Sequence, residues 1–143
     1  MKVTQISCFI ENRPGRLHAA CEALAAKGVN IHTLSLADTS EFGILRLIVA
    51  DPAAGKAALE EAGYVTRLTD VVAVEVPDDA GGLSRILAEA DAARLNIEYM
   101  YAFSTEVSAH AVVIIRFSDP DRAVGELLER GVNVVAPVRL LSI

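Results

Sequence analysis

The sequence predicts an α+β fold of two tandem ferredoxin-like βαββαβ modules, with antiparallel sheets carrying helices on one face. Three observations predict it. The chain has 143 residues, enough for two units of about 70, a size at which a lone core is marginal. Hydrophobic residues make up 52% and aromatics only 5%, with no Trp. The cores must therefore be aliphatic, and disorder is excluded as the main state. The element order β-α-β-β-α-β appears twice, with matching residues in the two copies.

Residues 3–10 are rich in β-branched and apolar side chains and read as a strand. Glu11-Asn12-Arg13-Pro14-Gly15 is a turn. Leu17, Ala20, Cys21, Leu24 and Ala25 follow at helical spacing, and Gly28 is placed to end that helix. Residues 30–37 read as a strand, 38–41 as a hairpin turn and 42–50 as a buried strand. Asp51-Pro52 opens a helix over 53–62, closed by Gly63. A strand over 64–68 completes the first copy.

The second copy repeats the order. Residues 71–76 form a strand and 77–82 a turn. Leu83, Ile86, Leu87 and Ala90 mark a helix. Strands follow over 95–103 and 110–117, joined by a turn at 105–108. Asp119-Pro120 opens a helix carrying Ala123, Val124, Leu127 and Leu128, closed by Gly131. Residues 132–143 are expected as a last strand, interrupted by Pro137. At an offset of 66, Gly15, Leu17, Asn30 and Ile31 land on Gly81, Leu83, Asn96 and Ile97. At 68, Asp51, Pro52, Leu59, Glu61 and Gly63 land on Asp119, Pro120, Leu127, Glu129 and Gly131. The modules are expected at residues 1–69 and 70–143. Apolar side chains on the helix-free face of 42–50 and 111–117 call for a covering surface.

Composition narrows the function. The net charge is −6, with 19 acidic and 13 basic residues and no Lys/Arg cluster, which argues against a nucleic-acid partner. An RNA-binding sheet of the same element order would need aromatics and basic residues that 44–48 lack. No apolar run reaches the length of a membrane span, and the N-terminus has no signal-like segment. A cytoplasmic protein is expected, without membrane association. Cys8 and Cys21 form no CxxC pair and no metal spacing, and read as small buried hydrophobes. No metal or other cofactor is expected. His18, His32 and His110 have no spaced partners, no nucleophile elbow or phosphate loop occurs, and Asp78-Asp79 reads as a turn pair. Catalysis finds no residue set.

Asn12-Arg13-Pro14-Gly15-Arg16-Leu17 resembles the Asp/Asn-x-Pro-Gly-x-Leu segment of the ACT domain family, and Gly28-Val29-Asn30-Ile31 follows at the family's distance. The second copy has Asp79-Ala80-Gly81-Gly82-Leu83 and Leu95-Asn96-Ile97. It departs from the pattern in Ala80, where the family has proline, and in Arg94, where the first copy has Gly28. The resemblance covers the chain as two modules. It implies a non-catalytic regulatory or sensor protein, a homodimer, binding an amino acid or related small metabolite at interfaces between modules. It also implies a regulated enzyme or transcription factor as partner. The ligand-binding residues so implied are Asn12, Arg13, Pro14, Gly15, Arg16, Leu17, Asn30 and Ile31, and in the second copy Asp79, Gly81, Gly82, Leu83, Asn96 and Ile97.

The physical reading beside it is narrower. A helix N-terminus behind a glycine turn can receive a carboxylate. Asn12 and Asn30 can bind both ends of a zwitterion, or only shape their turns. Leu17, Ile31, Leu83 and Ile97 can be pocket walls or core, and Arg13 and Arg16 can add positive potential or be solvated. Asp79 would repel a carboxylate but accept an ammonium. Two alternatives stand beside the sensor: an interaction module modulating an enzyme without a ligand, and a small enzyme on a ferredoxin-like scaffold.

Overall fold

Alternating apolar residues build the strands, and Asp-Pro or glycine turns start the helices. The computed structural model describes residues 1–38, 41–103 and 110–142. The expected turn at 105–108, positions 39 and 40 of the first hairpin turn, and Ile143 lie outside the described residues. The chain divides into a unit of Thr4–Thr69 and a unit of Met1–Val3 with Asp70–Ile143. The elements are β1 (Val3–Glu11), α1 (Arg16–Ala26), β2 (Ile31–Asp38), β3 (Phe42–Val49), α2 (Pro52–Glu61) and β4 (Val65–Pro77). They continue with α3 (Gly82–Ala92), β5 (Ile97–Phe103), β6 (His110–Phe117), α4 (Pro120–Glu129) and α5 (Pro137–Leu140).

In the first unit the strand order is β2-β3-β1-β4. The antiparallel register sets Ile6, Cys8 and Ile10 opposite Leu47, Leu45 and Gly43. Paired residues share a face, and this face meets Ala20 and Leu24 of α1 and Ala58 and Leu59 of α2 in one buried cluster. The helical stripe is narrower than the spacing suggests: Leu17 and Ala25 are exposed and Cys21 is half-buried. Asp51 caps α2, accepting from the Ala54 amide at 3.1 Å, with Pro52 at the first helical position. Burial pushes the Cys8 thiol up to about 11, partly offset by the positive charge of Arg16. Both cysteines are free.

The second unit orders its strands β4-β6-β5. Val72, Val74, Ile115 and Phe117 pack with Ala90 of α3 and Ala123 and Leu127 of α4. Asp119 caps α4 as Asp51 caps α2, accepting from the Arg122 amide at 3.2 Å. Lys2 bonds Asp121 at 2.9 Å and reaches Asp70 at 3.4 Å. The hydrogen bond to Asp121, seconded by Asp70, raises its pKa.

One expectation fails here. The last strand shrinks to a single bridge between Val134 and Val74, flanked by amide bonds from Glu75 to Asn133 and from Val135 to Ala73. Pro137 then starts α5. It lacks a donor for the ladder, and its fixed φ suits the first position of a helix. On the helix-free face of the first unit Ile48 is buried, while Phe9 is 47% and Phe42 52% exposed. In the second unit Val112 and Ile114 are buried. Their register partners Phe103 and Tyr101 stand beside them on that face, as aromatic and β-branched pairs do across strands.

Candidate functional site

The turn between β1 and α1 is tied at both ends. The Asn12 amide donates to the Glu41 carbonyl at 3.0 Å, and the Arg16 amide to the Arg13 carbonyl at 3.3 Å. Gly15 is the N-cap of α1 at φ +85°, with no side-chain cap on the helix. A left-handed φ favours glycine, and Gly81 repeats it before α3 at φ +86°. Asn12 therefore shapes the turn rather than capping the helix. Its side chain lines a 70 Å³ cavity with Arg13 and Leu17, against Ile10, Leu36 and Gly43. An open cleft of 510 Å³ lies beside it, bounded by Glu11, Asn12, Arg13, Glu41 and Phe42. Glu11 and Arg13 form an ion pair at this rim.

Asn30 and Ile31 are not brought to this turn within the unit. Register puts Asp38 opposite Gly43 and Ile31 opposite Val49. The start of β2 thus lies roughly 20 Å along the sheet from its end. Asn30 is exposed, while Ile31 packs against the core.

A third cavity, of 170 Å³, opens beside Glu11 and is lined by Phe9, Arg16, Phe42, Tyr64 and Val65. Tyr64 donates its hydroxyl to the Arg16 carbonyl at 3.0 Å. The Arg16 guanidinium lies over the Tyr64 ring at 5.0 Å. Glu11, Phe42 and Tyr64 were not singled out by spacing, because they reach one place through strand pairing. The internal repeat carries the missing signal. Phe9, Phe42, Gly63, Tyr64 and Val65 land on Glu75, His110, Gly131, Val132 and Asn133 at the offsets already found. Those five residues line a 200 Å³ cavity in the second unit. There Glu75, whose side chain is only 10% exposed, accepts from Asn133 at 2.7 Å and pairs with Arg139 at 3.2 Å.

The predicted residues of the second copy stand apart from that cavity. Asp79 is ion-paired with Arg85 at 2.7 Å. Asn96 donates its side chain to Ser118 Oγ at 2.8 Å, and its carbonyl accepts the Ser118 amide at 3.0 Å. Those bonds fix the junction between helix and strand. Gly82 is buried, Leu83 is exposed and Ile97 packs on the core. His18 is exposed and reaches Glu22 at 3.2 Å. Among the described residues no cluster of three His, Cys, Asp or Glu could hold a metal ion. No described helix is long and apolar enough to cross a membrane.

The sequence matches the ACT domain pair over residues 1–143. The chain belongs to that family. This ACT pair resembles the solved structure of protein BT0572 from Bacteroides thetaiotaomicron at 36% identity and a TM-score of 0.92, over 100% of this chain and 98% of that one. It also resembles the ligand-free regulatory subunit of aspartate kinase from Thermus thermophilus, at 19% identity and a TM-score of 0.64, over 88% of this chain and 91% of that one. The regulatory subunit of aspartate kinase from Thermus flavus is similar at 19% identity and 0.61, over 88% and 90%. At 19% identity the likeness shows the shared fold alone. No curated protein matches the sequence.

Proposed function

We propose that this ACT pair is a non-catalytic regulatory protein that binds a small metabolite, an α-amino acid, at the turn between β1 and α1. The observation that carries the reading is the cavity formed by Asn12, Arg13 and Leu17 at the uncapped start of α1. Asn12 offers an amide for both ends of a zwitterion, Arg13 a cation, and Leu17, Ile10 and Leu36 an apolar wall. The regulatory subunits of aspartate kinase support a regulatory role on the same fold. An enzyme or transcription factor is then the partner that reads the bound state. Two free cysteines fit a reducing compartment such as the cytoplasm.

Thermal-shift screening against the twenty amino acids tests the reading. A ligand of the native state at a hundred times its Kd adds about 2.7 kcal/mol of apparent stability, so at least one amino acid should raise the melting temperature clearly. Asn12→Ala should remove that rise while leaving the unliganded melting temperature nearly unchanged, since Asn12 is exposed. No response to any amino acid would sink the proposal.

The exposed Leu34 of β2, an edge strand, supports a homodimer, because an apolar strand edge invites pairing with a second copy. Sedimentation velocity at micromolar concentration should give a species of twice 15.2 kDa. A clean monomer would remove the dimer from the proposal.

A further inference from the structure

Among the described residues the Arg16 guanidinium has no carboxylate partner, and its buried Nε has no hydrogen-bond acceptor. The Tyr64 ring lies against the face of the guanidinium, 5.0 Å from its carbon, and so offers no acceptor in the plane of the N–H groups. Burying a charged donor without an acceptor is costly. A bound anion would relieve that cost.

Arg16 also lines the 170 Å³ cavity whose apolar walls are Phe9, Phe42 and Val65. That volume exceeds the share of a single water, about 30 Å³ in the liquid, and admits a small organic molecule. Glu11 on the same rim is ion-paired with Arg13. Glu11 would still repel a second negative charge. The repeat-related cavity of the second unit offers a contrast. In the repeat Gly82 takes the place of Arg16 and does not line that cavity, while Glu75 takes the place of Phe9 and does.

We infer that the first-unit cavity binds a small monocarboxylic acid, with the carboxylate on the Arg16 edge and the apolar body against Phe9 and Phe42. Paired N–H donors of arginine match a planar carboxylate, and the aromatic walls favour a flat body. This site adjoins the Asn12 cavity and shares only Glu11 with it. It stands whether or not an amino acid binds there.

The test uses benzoate and its neutral isostere benzamide as probes, followed by amide chemical shifts of the whole chain. Benzoate should bind at least tenfold more tightly than benzamide and move the amides of Phe9, Gly63, Tyr64 and Val65. Arg16→Met keeps the apolar stem and the backbone carbonyl that Tyr64 uses. It should bring benzoate down to the level of benzamide. Equal affinity for the two probes, or shifts centred on Asn12 and Leu17 instead, would overturn the inference. So would an undiminished preference for benzoate in Arg16→Met. If that variant does not fold, the wild-type contrast and the shift map decide alone.

Discussion

Gly82→Ala should destabilise the protein by more than about 3 kcal/mol, the upper range for forced overpacking. A Cβ at Gly82 would overlap the Pro77 carbonyl oxygen and press on Asp79 Oδ1 at 3.1 Å. Neither group can yield easily. The Pro77 carbonyl belongs to the strand backbone and accepts the Asp79 amide at 2.9 Å, and Asp79 is held by Arg85. Gly125→Ala is the matched control. It lies inside α4 with nothing within 4 Å of a new Cβ, so alanine should add about 0.5–1 kcal/mol through helix propensity. Urea melts of the two variants should move in opposite directions. A Gly82→Ala midpoint near wild type would show that the α3 entrance can shift.

Phe117→Ala should cost about 3–5 kcal/mol, the range for deleting a buried aromatic. Phe117 is fully buried among Val72, Ala123 and Leu127, and lies opposite Ile97 across the strands. Domains are stable by only about 5–15 kcal/mol, so the loss takes a large share of the total. The expected readout is a lower urea midpoint with amide signals of α3 and α4 broadened first. A loss below about 1 kcal/mol would mean that the small residues around it collapse into the gap.

Local chemistry made most of the element ends legible. Asp51-Pro52 and Asp119-Pro120 open helices in the structure as their residue types require, because the carboxylate accepts an amide and proline suits the first turn. Arg94 stands where the first copy has Gly28. It does take a left-handed φ of 55°, where Gly28 has 69°. The C-terminal segment reads as a strand because valines at 132, 134 and 135 favour one, while Pro137 stops it after one bridge. The site was the least legible part. Asn12 and Arg13 were visible in a local turn, but Glu11, Phe42 and Tyr64 meet through pairing of distant strands. Asn30 and Asn96 carry the same side chain, yet Asn96 is engaged by Ser118, a neighbour 22 positions along the chain.

The paired cavities bear on stoichiometry. Arg16 lines the first, while Glu75, paired with Arg139, lines the second. An arginine in place of Gly82 would displace backbone. Among the described residues the second cavity is lined by no guanidinium to match Arg16, and titration with an acid should saturate at one molecule per chain. Duplication here yields two unlike receptors rather than a doubled one.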